Sequence, residues 1–534
     1  MLTEDQTDVI EFLAAPSGHG MAPVERIDTH SAIVFLAGER VYKLKRAVEF
    51  DYLDFSTAER RRAMCDAEVR LNRRTAPDVY RGVVPITRKA GGALALAGSG
   101  PPIDWVVEMN RFPQEALFDR LAAAGRLDLE LMPSLAAAIA ELHRIAEPRT
   151  DHGGKPGMAW VIEGNAVGFA DYGANVLDPL ACRRLTDASR AELDHRGSLL
   201  DERRASGFVR QCHGDLHLRN IVLLDGRPTL FDGVEFNDKI ACTDVLYDLA
   251  FLLMDLWRRG LPRHANAVWN RYLAETGEFS GLSLLPLFLS CRAAVRAKTS
   301  ATAGRLQPDA RRGNELQAVA REYLTMAERL LRPPGPCLVA VGGFSGTGKS
   351  TLALGLAPSV GAVPGAVVIR SDEVRKRLSG VSPLDRLAPE GYSSEMSQRV
   401  YATVAEHARA TIREGHSAIV DAVYAQSADR QAIEYVAAEV SVPFVGIWLE
   451  APQSTLIARA EGRRNDASDA NVDVIRIQQQ QGTGVITWQR VEATPSSEIV
   501  LESTAKFVHA QLPGVLNDAG VEFQASEASR LNSL

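Results

Sequence analysis

The stretch Cys337–Thr351, read CLVAVGGFSGTGKST, constrains the fold more than any other part of the 534-residue chain. An apolar strand runs into Gly343-Phe-Ser345-Gly346-Thr347-Gly348-Lys349-Ser350, which satisfies G-x-x-x-x-G-K-[ST] at every position, and TLALGLA then continues as a helix. In this strand–loop–helix order the loop's main-chain N–H groups wrap a phosphate chain, and the helix N-terminus adds its partial positive charge. The loop from Gly343 to Thr351 is therefore assigned to a nucleotide, with Lys349 on its outer phosphates and the Ser350 hydroxyl on a magnesium ion.

Strands and helices alternate around this loop: strands at 337–341, 366–370, 418–421 and 443–449, helices after Gly348 and over 372–379, 394–414, 428–440 and 452–461. The alternation predicts an α/β P-loop NTPase domain with a parallel sheet. Asp372, in VVIRSDEVRK, and Asp421, in SAIVDA, each follow an apolar strand, so both fall at the C-terminal edge of the sheet, where ligands bind in such folds. Arg459, Arg463 and Arg464, in LIARAEGRRNDASDA, suit a segment that brings guanidinium groups onto a transferring phosphate. This set resembles P-loop small-molecule kinases related to gluconate kinase, chloramphenicol phosphotransferase and zeta toxins. The resemblance implies that Asp372 is the base toward a substrate hydroxyl, that Asp421 holds magnesium, and that Arg375 meets substrate or phosphate. A helix N-cap is the alternative for Asp372, and a capped turn the alternative for the segment ending at Asp469.

A second motif lies upstream. Cys212–Phe236, read CHGDLHLRNIVLLDGRPTLFDGVEF, places Asp215, Asn220 and Asp232 around an apolar hairpin pattern. A protein-kinase catalytic segment has the same parts: an Asp that takes the proton from a hydroxyl, and an Asn and a second Asp that hold metal. The form His-Gly-Asp-Leu-His-x-x-Asn resembles the aminoglycoside phosphotransferase family, the small-molecule branch of the kinase-like fold. That resemblance spans about 25–310 and implies an α+β bilobal kinase-like domain that uses ATP and Mg2+. It makes Asp215 the base, Asn220 and Asp232 the metal ligands, and Asp248 the brace of the catalytic loop. His213 is read as structural, and His217 as either structural or directed at phosphate. Such a lobe also needs a strand lysine and a helix glutamate. Lys43 and Lys45, in VYKLK, share one face of a strand, so periodicity cannot separate them. Lys43 is favoured by analogy with Val-Ala-Ile-Lys, with Glu68 as its partner. Glu235, Asp238 and Asp255 are candidates for an acidic substrate pocket.

The sharp break Arg332-Pro-Pro-Gly-Pro336 divides the chain. The expected organisation is a kinase-like domain over 1–332, a Pro-rich linker at 333–336, a P-loop kinase domain over 337–515 and a polar tail over 516–534. A net charge of -7 disfavours nonspecific nucleic-acid binding. The six cysteines form no C-x-x-C pair, which points to reduced thiols rather than zinc or disulfides. The first residues lack a basic n-region and the apolar runs are short, so a cytoplasmic protein with no membrane partner is expected. Together these features predict a bifunctional phosphotransferase acting on hydroxyl groups of small molecules: sugars, amino sugars or aminoglycoside-like compounds. The alternative is one catalytic domain, with the other binding substrate or sensing nucleotide.

Overall fold

A computed structural model describes residues 3–50, 52–171, 173–382, 385–462, 469 and 472–517. The chain forms two compact units, Met1–Asn165 with Arg190–Asp255, and Ala166–Ser189 with Leu256–Leu534.

In the first unit, six antiparallel strands lie in the order Val24–Asp28, Ala32–Ala37, Arg40–Lys45, Pro102–Asn110, Tyr80–Arg88, Leu94–Leu96. The alternation of side chains divides them between two cores. Ile33, Phe35 and Leu44 pack with Leu13 on one face. Leu36 and Val41 pack on the other, against Cys65 and Val69 of the helix Ala58–Asn72. Lys43 and Lys45 follow Val41 by two and four residues, so the strand delivers both lysines to the helix face. Thr57 caps that helix by accepting the Arg60 N–H. The segment expected to be catalytic contains a hairpin, Ile221–Leu224 paired with Arg227–Leu230, and its turn residues Asp225 and Gly226 both have positive φ.

In the second unit, five parallel strands lie in the order Val367–Arg370, Ala418–Asp421, Leu338–Gly343, Phe444–Glu450, Gln489–Glu492. Their apolar side chains, among them Val339, Val341, Ile419 and Ile447, pack with Leu352, Leu356 and Val508 from flanking helices. The edge strand Val367–Arg370 is closed by two asparagines of the helix Pro262–Thr276. Asn270 Oδ1 accepts the Val368 N–H at 2.6 Å, and the side-chain amides of Asn266 and Asn270 donate to the Ala366 carbonyl at 3.1 and 3.2 Å. The strands and helices read around the phosphate loop match the observed elements to within two residues. The helices Gly154–Asp171, Val472–Gln481 and Ser497–Gln511 and the strand Gln489–Glu492 were not read from the sequence.

Candidate functional sites

In the first unit the lysine strand, the glutamate helix and the catalytic hairpin converge. Lys43 Nζ donates to Glu68 Oε1 at 2.8 Å and to Asp232 Oδ1 at 2.5 Å. Lys45 Nζ donates to Glu68 Oε2 at 2.7 Å and also to Glu235. The two lysines are thereby distinguished: Lys43 keeps 16% of its side chain exposed beside Asp232, whereas Lys45 keeps 2%. Burial opposes charge on Lys43, but Asp232 and Glu68 outweigh it and hold the ammonium well above the ordinary lysine range. Burial likewise works against the Glu68 carboxylate, and the two lysines override it, lowering its pKa.

Asp232 sits at φ 61, a left-handed conformation rarely adopted by a non-glycine residue. Its N–H is donated to the Tyr80 hydroxyl at 3.1 Å, and the next N–H, of Gly233, to Asn72 Oδ1 at 2.7 Å. These contacts hold the backbone in place. Burial, reinforced by Glu68 and Asp232, pushes the Tyr80 phenol well up, so it remains protonated.

Asp215 is oriented from two sides. Asn220 Nδ2 donates to its Oδ2 at 3.1 Å and to its carbonyl at 2.9 Å, and His217 Nε2 lies 3.3 Å from Oδ2. With its nitrogen turned to Asp215, Asn220 retains an amide oxygen as a ligand atom. The Asn220 carbonyl accepts the Phe231 N–H at 3.0 Å, which brings Asn220 beside the segment carrying Asp232. His213 Nε2 donates to the Phe231 carbonyl at 2.9 Å, and burial lowers its pKa, so it is a neutral structural ring. Asp248 is fully buried; its oxygens accept the Gly214 and His213 N–H groups at 2.8 and 3.1 Å, and His143 Nε2 lies 3.1 Å away. The expected bracing geometry is present.

The acidic-pocket candidates are engaged elsewhere. Glu235 pairs with Lys45, Asp238 with Arg149 at 3.1 Å, and Asp255 accepts the Leu218 N–H at 3.1 Å. The sequence carried no sign of the Lys45–Glu235 pair, because its members lie 190 residues apart.

In the second unit a cavity of about 480 Å³ is lined by the phosphate loop together with Asp372, Arg375, Tyr401, Asp421 and Arg459. Gly343 and Gly346 have positive φ, and a Cβ at either would come within 2.7 Å of a backbone carbonyl oxygen, that of Leu449 or Leu456. Lys349 Nζ donates to the Phe344 carbonyl at 3.2 Å, and Thr347 Oγ1 turns inward to the same carbonyl at 2.8 Å. Ser350 Oγ donates to Asp421 Oδ2 at 2.5 Å, which joins the two oxygen ligands proposed for one metal. Ser345 is buried, and Thr351 and Gly348 line the cavity.

Asp372 lies in the first turn of the helix Ser371–Leu378; Arg370 is the N-cap residue and no side chain caps the helix, so Asp372 is not a cap. Arg375 is 9% exposed, donates to the Gly391 carbonyl at 2.8 Å and lies over the Tyr392 ring. Arg370, unnoticed in the sequence, donates to Ser350 Oγ at 3.1 Å and comes within 3.6 Å of Asp421. The rest of the capped-turn segment, residues 465–468, lies outside the described residues, and Asp469 itself is engaged by distant groups. It reaches Lys376 at 3.2 Å, the Leu387 N–H at 3.0 Å and the Tyr392 hydroxyl at 2.9 Å. Arg459 lines the cavity, whereas Arg463 and Arg464 lie outside the described residues.

Residues 94–282 match the Phosphotransferase enzyme family, and residues 338–483 match the AAA domain family. These matches and the two constellations define a kinase-type phosphotransferase, with a kinase-like fold followed by a P-loop kinase fold. An uncharacterized protein of Mycobacterium tuberculosis (strain ATCC 25618 / H37Rv) is 30% identical over 455 residues, 84% of this chain and 88% of that one. The chain belongs to the same family. The adenylyl-sulfate kinase of Myxococcus xanthus (strain DK1622) is 31% identical over 118 residues, 22% of this chain and 59% of that protein. Choline kinase from Cryptosporidium parvum Iowa II is a structural neighbour at 11% identity and TM-score 0.39, covering 60% of this chain and 94% of that one.

Proposed function

We propose that the chain is a bifunctional, ATP- and Mg2+-dependent phosphotransferase acting on hydroxyl groups of small molecules: sugars, amino sugars or aminoglycoside-like compounds. One observation carries this reading. Each unit separately brings together carboxylates, a lysine and further oxygen-bearing side chains, which supports the roles of base, phosphate contact and metal ligand. A nucleotide sensor or a substrate-binding module has no need of a base.

In the first unit Asp215 takes the proton from the acceptor hydroxyl, while Asn220 and His217 fix the carboxylate. Lys43, held by Glu68, steadies the phosphates. In the second unit Asp372 is the base, the loop N–H groups and Lys349 bind the phosphates, and Arg459 faces the charge that develops on transfer. Asn220 with Asp232, and Ser350 with Asp421, present oxygen donors, the kind of set that a hard divalent cation takes. Bound there, Mg2+ would neutralise phosphate charge and orient the chain of phosphates.

A soluble cytoplasmic setting without nucleic-acid or membrane partners fits the composition. Among the described residues no helix is long and apolar enough to cross a membrane. All six cysteines are buried, and burial pushes Cys65, Cys291 and Cys337 up to about 12, as suits inert thiols.

The test is transfer of radiolabelled phosphate from ATP to a panel of sugars, amino sugars and aminoglycosides, using the full chain and its Asp215→Asn and Asp372→Asn variants. Each variant is expected to lose about 100-fold or more on one class of acceptor, the scale of a missing general base. Unchanged transfer in both variants would refute the two-site reading.

A further inference from the structure

The helix Val472–Gln481 carries a residue that the loop motif and the proposed base do not account for. Gln478 Oε1 accepts the Ser345 N–H at 3.0 Å, and its Nε2 donates to Ser345 Oγ at 3.1 Å. A backbone N–H can only donate, so the amide is held in one orientation. The chain on both sides is also anchored. Asp469 is tied to Lys376 and Tyr392, and the buried Arg430 donates to the carbonyls of Thr483 and Val485 at 2.8 and 2.9 Å. Gln478 therefore reaches the phosphate loop from a fixed position, inside the cavity that contains Lys349, Ser350 and Asp372.

Ser345 N–H belongs to the row of donors that such a loop turns on phosphate oxygens. It lies at the strand end of the loop, away from the helix N-terminus at Lys349 and Ser350, which serves the inner phosphates. In the structure this donor is occupied by a neutral amide oxygen.

We propose that Gln478 is a positioning residue that competes with the terminal phosphate of a nucleoside triphosphate for the Ser345 N–H, and so sets the loop's preference between triphosphate and diphosphate. The inference rests on reading residues 338–483 as a nucleotide-using kinase site. A triphosphate must displace the amide, whereas a diphosphate ends short of it and leaves the pair in place.

Calorimetric titration of the full chain with ADP and with a non-hydrolysable ATP analogue, in Mg2+ buffer and with Lys43→Met present throughout to remove the first unit's contribution, tests this. Gln478→Ala is expected to tighten the analogue by about three- to tenfold, the worth of one hydrogen bond no longer displaced, with ADP changed by less than about twofold. Gln478→Glu sets a carboxylate against the terminal phosphate and is expected to weaken the analogue by about tenfold, with a smaller loss for ADP. A merely structural role would shift both nucleotides together and lower the melting temperature. Equal weakening of both ligands in Gln478→Ala, or no change in either, would overturn the proposal. Lys349→Ala separates the two levels. If it binds both nucleotides as the unaltered chain does, the kinase-site reading falls, and the inference with it. If Lys349→Ala loses them while Gln478→Ala changes nothing, only the inference falls.

Discussion

Lys43 and Lys45 have the same side-chain chemistry and the same strand face, yet the structure gives them different work. Lys43 bridges Glu68 to the half-exposed Asp232, and Lys45 is sealed between Glu68 and Glu235. Lys43→Met is expected to cut phosphoryl transfer at the first site by about 100-fold or more, while costing little fold stability, because Lys45 still neutralises Glu68. Lys45→Met leaves Glu235 buried without its cation and is expected to destabilise the protein by about 3–5 kcal/mol. Chemical denaturation beside the transfer assay distinguishes them, and equal stabilities would contradict the assignment. A second residue, His416, is expected to add to the acid sensitivity of the fold. Burial pushes the His416 imidazole down to about 4, against a smaller upward pull from the Leu282 backbone. Because the folded pKa is depressed, this neutral ring contributes stability that is complete above the unfolded value of 6.5 and lost as pH falls through the folded one. The loss over that window is roughly 3 kcal/mol. His416→Gln is expected to flatten the fall in melting temperature between pH 6.5 and 4, and an unchanged slope would show that the ring is not responsible.

At the scale of elements, the edge of the parallel sheet is the informative feature. An uncovered edge strand exposes a row of unpaired N–H and C=O groups. Here Asn266 and Asn270 supply the missing partners from a helix, imitating the ladder of a sixth strand. Asn270→Ala strands the Val368 N–H and is expected to cost about 1–3 kcal/mol, read by thermal unfolding. A change below about 0.5 kcal/mol, the range of an ordinary surface substitution, would mean that the cap is incidental. The elements themselves were unequally legible. Ala418–Asp421 is a buried strand whose apolar run ends in a single Asp, and it was placed to the residue. Gln489–Glu492 is an exposed polar edge strand with no alternation to read. Gly154–Asp171 contains four glycines and a proline, poor helix formers, yet Gly168 lies where a Cβ would meet the Lys298 side chain. Close packing decides that helix against its propensity.

For the molecule as a whole, the residues proposed for each site lie within one unit. Lys43→Met and Lys349→Ala are therefore each expected to abolish one acceptor activity and spare the other, with the double variant losing both. Loss of both activities in either single variant would show that the sites depend on one another. What the amino-acid sequence determined alone was the kind of chemistry. Both motifs are contiguous and are defined by spacing along the chain, so Gly343–Ser350 and Asp215–Asn220–Asp232 could be picked out directly. Tertiary structure alone decided which lysine faces Asp232, that Glu235 is a buried counter-ion, that Asp469 reaches Lys376, and that Gln478 sits on Ser345. These pairs join residues 190, 93 and 133 positions apart for Glu235, Asp469 and Gln478 respectively. Local periodicity repeats every two or 3.6 residues and holds no record of which distant side chain will arrive opposite; only the packed chain brings such partners within hydrogen-bond reach.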